Sequence, residues 1–507
     1  MTDDTNRLDP GEIATRLMLL RPDRDQRASQ ICAETLLTLV SNRYQAPDAE
    51  PLSPKVQRFG LRSLVFGQNF LQGYTDTLPG TDIRADDYGA RLAISEDFQG
   101  AENLHLARSA LRSLLDPSTE RGAQEGQRLL MPFHESLLWF DARKAGARYT
   151  ARKVLMRGAG VTLARILLKP PGSCSNDVKE LARRAVCGIR EALTHDSPLS
   201  KVAHELERVL PESLRHPPEL QGDERDSWAL PDIKDMEAFS SSLIRHVEGI
   251  SQQSGASGPA KLWQLRLMLG LDMSIDMLRR SWVRNETPLQ ERKLLLALPG
   301  FSRQSDRVRL RSERSFNVAR RAIHWATVRT LATVLEAIHC EEQQGIDWGN
   351  ELDQRTFRRL GAVIRSNYNA TGANDFLKLA QRVFETADYK RAGEGFRVLL
   401  ETIGMSAGGT RYRYLSATPD LMSALVGALS AEMPMSSDDF FIRVASEWDL
   451  VISPNSATGA TLAADVDGPD MAMNARRFEQ LLIECGLASG LSDRTVLVGE
   501  RAGRRRR

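Results

Sequence analysis

Apolar residues recur at three- and four-residue intervals through most of this chain, the spacing of helices that bury one face. Within 177–194, Val178, Leu181, Ala182, Ala185, Val186 and Ile189 form one stripe, and Arg183, Arg184 and Arg190 lie away from it. The same period predicts helices over 13–20, 30–40, 101–115, 262–269, 317–338 and 375–387. Few alternating Val/Ile/Thr runs interrupt them. The expected fold class is mainly α: a multidomain helical protein with a C-terminal winged-helix-like α+β module.

That module is read from the order of signals between Leu421 and Val498. Thr418 suits a helix N-cap, Pro419 the first helical position and Asp420 the positive end of the helix dipole. Leu421, Leu425, Ala428 and Leu429 then share a face. After Pro434, Ser436 or Ser437 caps a second helix whose Phe441, Val444, Ala445 and Trp448 are spaced for burial. A short strand follows at 450–453. A third helix is expected from Asn474, burying Phe478, Leu481, Leu482 and Cys485 and stopping at Gly486, a residue suited to a left-handed C-terminal cap. Arg476, Arg477 and Gln480 lie on its other side as candidate contacts to phosphates or base edges, and 494–498 is the expected wing. Exposed arginines on a helix are also commonly a solvated face, and winged helices also serve to bind neighbouring subunits.

A chain of 507 residues exceeds the roughly 250–300 residues at which single cores stop growing, so several domains are expected. The stretch 216–227 is polar, acidic and proline-bearing, and 251–260 has the small-polar composition of a linker. The glycines of 404–409 mark a further joint before Arg411-Tyr-Arg-Tyr-Leu, which alternates like a strand. The expected organisation is one or more helical domains over 1–250, a linker at 251–260, a basic helical domain at 261–400, the module at 401–500 and a basic tail at 501–507.

Charge changes this picture locally. Lysine and arginine number 68 against 66 acids, so the whole chain is nearly neutral. Between Lys261 and Arg329, however, fifteen basic residues face six acids, an excess that attracts polyanions. Arg303, Arg307, Arg309, Arg311 and Arg314 are too dense to be paired by Asp306 and Glu313 alone. Together with Arg411, Arg413, Arg476, Arg477 and Gln480 they are the candidate nucleic-acid-binding residues. Neutralisation by acids from elsewhere in the fold is the competing expectation. Arg143, Lys144, Arg148, Arg152, Lys153 and Arg157 form a smaller patch with the same choice.

Candidate chemistry adds little. Five dispersed cysteines without a C-x-x-C pair fit reduced thiols in a cytosolic setting, and no run of about 20 apolar residues suits a bilayer. His134-Glu135 and His204-Glu205 lack the second histidine of a zinc-peptidase helix. Gly158-Ala-Gly and the 404–410 glycines lack the Lys-Ser/Thr of a phosphate loop. The 465–470 acidic turn has Arg476 where a calcium loop needs glutamate. Cys174 has no base supplied by the sequence, and Pro231-Asp232 and Pro419-Asp420 lack the following strand of a nuclease motif. No cofactor, metal site or catalytic residue is assigned.

The run from 396–404 through Arg411-Tyr-Arg-Tyr, 417–426 and Glu484-Cys-Gly-Leu-Ala-Ser-Gly-Leu-Ser-Asp resembles the C-terminal part of accessory proteins from bacterial anti-phage islands, such as methylation-associated defence systems. The resemblance covers about 100 residues and implies a non-enzymatic, cytoplasmic component acting beside an enzyme encoded nearby. The expected function is therefore DNA binding or subunit docking in a multi-subunit defence complex, with no membrane partner. The alternatives are a divergent metal-dependent nuclease and a pure protein scaffold.

Overall fold

A computed structural model of the chain describes residues 27–41, 138, 142–145, 148–151, 159–195, 236–298, 303–344, 375–386, 392–409, 412–429, 433–457, 468–492 and 495–499. Of these, 73% are helical, as the three- and four-residue spacing predicts. The helices expected at 13–20 and 101–115 and the joint at 216–227 lie outside the described residues.

The described helices are α1 (Ala28–Ser41), α2 (Ala159–Leu168), α3 (Asn176–Leu193), α4 (Glu237–Ser251), α5 (Gly258–Arg284), α6 (Arg303–Gln344), α7 (Phe376–Thr386), α8 (Ala392–Thr402), α9 (Pro419–Leu429), α10 (Ser437–Trp448) and α11 (Gly468–Glu484). Short strands punctuate them: β1 (Ala142–Ala145) and β2 (Arg148–Ala151) form a hairpin, and β3 (Leu294–Leu295) precedes α6. Then β4 (Ser406–Ala407) and β5 (Tyr414–Leu415) pair after α8.

Helix α5 is the axis of the molecule. Its 27 residues are buried on nearly every side, and it packs against α1, α3, α4, α6, α8 and α9. A helix that is apolar around most of its circumference has no solvent face, and so it takes the centre. Apolar periodicity marks only 262–269, because Asp272 and Asp276 interrupt the pattern beyond it. Both acids are nevertheless buried.

Close crossings are set by small residues. A Cβ on Gly249 of α4 would lie 2.5 Å from the carbonyl oxygen of Ala428 on α9, and one on Gly160 of α2 would lie 2.5 Å from that of Ile31 on α1. Only a missing side chain lets these backbones approach so far. One apolar core then runs from Ala28 to Val498 through α5, and each large side chain fully buried in it contributes about 1.5–3 kcal/mol.

Where a flexible linker is expected at 251–260, the chain makes a short turn instead. Ser251 is buried at the end of α4, Ser257 caps α5 through the amide of Ala260, and Lys261 Nζ donates to Ser251 O at 2.7 Å. Small polar residues here serve a tight connection between packed helices.

The C-terminal segment keeps the expected caps. Thr418 Oγ1 accepts from the amide of Leu421, and Ser436 Oγ accepts from that of Asp439. Gly486 adopts φ 67°, with Gly486 N donating to Ile483 O and Leu487 N to Leu482 O, the paired bonds of a Schellman stop. Two details differ from the sequence-based expectation. Helix α11 begins at Gly468, not near Asn474, because Pro469 and Asp470 already suit a first turn. Cys485 is exposed, although Phe478 and Leu482 are fully buried.

The strands of this segment are β6 (Met435–Ser436), β7 (Leu450–Val451), β8 (Ala488–Ser492) and β9 (Thr495–Val498). Strand β9 lies between β6 and β8, antiparallel to both. Strand β7 instead pairs in parallel with β3, 156 residues earlier in register at Leu294↔Leu450. Asn474, buried on α11, reinforces the seam: its Nδ2 donates to Leu296 O and Ile452 O, and its Oδ1 accepts from Leu298 N. Residues 419–498 therefore share backbone pairing as well as core with the helices before them.

Candidate functional site

The candidate arginines divide by environment. Helix α6 positions the dense cluster, and its buried face is set by Val308, Phe316, Ala319, Ile323 and Leu331. Arg303 is its first residue, with a side chain outside the described set. Arg307 and Arg314 are exposed. Arg307 Nη1 stands 3.9 Å from Asp470 Oδ2 of α11 with two thirds of its side chain still open. Arg309 is mostly covered, 3.9 Å from Glu313, and Arg311 is half-buried.

Arg411 lies outside the described residues. Arg413 is covered and forms an ion pair with Glu401, and burial pushes its guanidinium pKa down. On α11, Arg476 is exposed, whereas Arg477 donates to Leu298 O at 3.1 Å and Gln480 donates to Glu484 Oε1 at 2.9 Å. The basic excess of 261–329 is also partly absorbed within the fold. Arg279 and Lys293 both reach Asp449 at 2.7 Å, Arg280 reaches Asp276 at 2.7 Å, and Arg320 lies 3.4 Å from Glu394. Arg266 covers the ring of Trp263 at 3.8 Å.

The exposed basic side chains of α6 form an ordered stripe. Arg307, Arg314, Arg321 and Arg329 recur every seven or eight residues along α6 and are all exposed. Between them stand three exposed apolar side chains, Leu310, Val318 and Trp325, each more than 40% accessible. Seven residues are nearly two helical turns, so all seven groups fall on one face. From Arg307 to Arg329 the rise is about 33 Å at 1.5 Å per residue. Charge density along the sequence locates the upper part of this face, but only the burial pattern separates Arg314 and Arg321 from Arg309 and Arg311.

A second constellation leaves almost no trace in the sequence. His246 of α4 is buried between two carboxylates: Nδ1 is 2.9 Å from Asp272 Oδ1 of α5, and Nε2 is 3.4 Å from Glu447 Oε2 of α10 without making a hydrogen bond. Trp448 Nε1 donates to the same Asp272 oxygen at 2.7 Å, and its ring lies 4.4 Å from the imidazole. Burial opposes a charge on His246, but the Asp272 and Glu447 carboxylates outweigh it and raise its pKa to about 9. Contact with His246, against the opposing effect of burial, lowers Glu447 to about 2. Burial also pushes Asp276 up, against the pull of Arg280.

An imidazolium locked in this way holds its proton at neutral pH, so it acts as a donor and not as a general base. The only sequence signal is an acid inside an apolar helix: Asp272 interrupts Leu271 and Met273, and a buried carboxylate needs partners. Those partners come from 26 and 176 residues away, which is why spacing is silent. Among the described residues no group of three or more His, Cys, Asp or Glu side chains is arranged to hold a metal ion, and no helix is long and apolar enough to cross a membrane. No family model, curated protein or solved structure matches the chain.

Proposed function

We propose that this chain is a non-catalytic DNA-binding component of a larger assembly, with duplex DNA lying along the open face of α6. The carrying observation is the stripe of Arg307, Arg314, Arg321 and Arg329, all exposed on one face of α6 although Arg307 also lies 3.9 Å from Asp470 and Arg329 3.5 Å from Arg284 O. Its length of about 33 Å is close to one turn of B-DNA, so the guanidinium groups span about one helical repeat of the phosphate backbone. Arginine forks suit phosphate oxygens, and release of counterions supplies the affinity.

The C-terminal segment supports the same reading. The succession is α9, β6, α10, β7, α11, β8, β9, with β9 between β6 and β8 and β7 paired instead with β3; we read it as a winged-helix-like module in which the β8–β9 hairpin would be the wing. Arg477 is engaged with Leu298 O before α6 and Gln480 with Glu484 of its own helix, and α11 packs on α6, so in this reading the wing and Arg476 lie nearest the nucleic acid. The resemblance of 396–493 to accessory proteins of anti-phage islands is the reason to read the assembly as a defence complex in which a separate enzyme does the chemistry. Leu310, Val318 and Trp325 favour a second reading, in which the face docks a partner subunit.

The test is a duplex titration across about 50–200 mM salt with the parent and an Arg307→Ala, Arg314→Ala, Arg321→Ala variant. For every phosphate that the variant no longer neutralises, the slope of log K against log salt should become shallower by about 0.9. An unchanged slope with failed capture of a partner subunit transfers the face to docking. DNA nicking that depends on added metal would replace both readings with the nuclease alternative.

A further inference from the structure

We propose that the cavity between α4, α5, α6 and α10 binds a mononucleotide-sized organic phosphate, its flat ring against Phe239, Ile275 and Trp448 and its phosphate at Arg284, Thr330 and Thr333. The cavity measures about 680 Å³, within the range of small-molecule sites and too small for a folded partner. Its floor and mouth differ in a way that selects an anion with an apolar body.

At the floor the carboxylates are already satisfied. Asp272 accepts from His246 and Trp448, Asp276 from Arg280, and Glu447 faces His246, with Ser242 at 3.3 Å. A cationic ligand would find no spare acid there. What the floor offers instead is a donor: His246 lines the cavity, is 2% exposed, and its Nε2 makes no hydrogen bond. Nε2 faces Glu447 Oε2 at 3.4 Å, long and misaligned for a hydrogen bond, and a ring nitrogen or exocyclic oxygen of a base can supply the closer acceptor. Trp448 and Ile275, both buried, present the apolar wall beside it.

At the mouth the balance is positive. Among the described residues Arg284 meets a hydroxyl, that of Thr333, and no carboxylate. Arg329 comes within 3.5 Å of Arg284 O. Thr330 and Thr333 return their own hydroxyl protons to Ala326 O and Arg329 O, one turn back on α6. Such back-bonds are weak, and a phosphate oxygen is the stronger acceptor. The remaining Arg284 donors are then free to fork onto the same group.

The experiment is isothermal titration of the full-length chain at low salt and pH 7 with each of the four ribonucleoside monophosphates, inorganic phosphate and adenosine. At least one monophosphate should bind with Kd below about 1 mM and about tenfold or more tighter than phosphate or adenosine. Arg284→Gln and, separately, Val283→Glu at the exposed rim should each weaken that binding about tenfold with unchanged melting temperature. Arg314→Ala, on the open α6 face, should leave it unchanged. Absence of binding by all four monophosphates, equal affinity for inorganic phosphate, or loss of binding only with Arg314→Ala would overturn the proposal.

Discussion

At the residue scale, the charge on His246 is the most consequential feature of the interior. Its pKa in the folded chain, about 9, lies above the ordinary histidine value of 6.5. Its contribution to stability is therefore complete below pH 6.5, declines between 6.5 and 9, and is gone above that. Glu447 has the opposite sign: lowered from 4.5 to about 2, it contributes above pH 4.5 and loses that contribution as pH falls through 2. The difference in unfolding free energy between the parent and His246→Gln should accordingly shrink from pH 6 to pH 9.5 in urea melts. A difference that stays constant over that range would mean the imidazole is neutral in the folded state. Asp272→Asn leaves the imidazolium with one carboxylate and should cost about 3–5 kcal/mol at pH 7, the usual penalty for breaking a buried ion pair.

At the scale of elements, several helix caps are legible in the sequence, whereas the start of α11 and the surroundings of the helices are not. Thr418, Ser436 and Gly486 act through atoms of their own turns, so local sequence suffices to place them. The register of β7 against β3 depends on a strand 156 residues away and leaves no local mark. Crossings are equally non-local. Gly249→Ala would drive a Cβ against Ala428 O and should cost about 1–3 kcal/mol, read as a lowered urea midpoint with unchanged m value. Leu482→Ala on α11 removes a fully buried side chain and should cost about 2–5 kcal/mol. Arg476→Ala on the same helix is exposed and should leave the stability within about 0.5 kcal/mol of the parent.

At the scale of the whole molecule, α5 joins what composition divides. Trp448 binds Asp272, Asp449 takes Arg279 and Lys293, and Asn474 closes onto the segment after β3. A fragment of 401–500 keeps its caps and its three-stranded sheet but is deprived of these partners and exposes the α9 face that packs on α4 and α5. It should melt well below a fragment of 236–500 and bind more of a hydrophobic dye. Equal melting temperatures would show that the C-terminal segment folds without the central helix.

The helical class, the caps of α9 and α10, the glycine stop of α11 and the basic character of 303–329 were determined by sequence alone, because each depends on periodicity, turn chemistry or charge within a few neighbouring residues. Tertiary structure decided which arginines remain open, that α5 is central, and that His246, Asp272, Glu447 and Trp448 meet. The reason is physical: pairing and burial are set by groups that the chain brings together from 26 to 205 residues apart, and local spacing carries no record of that encounter.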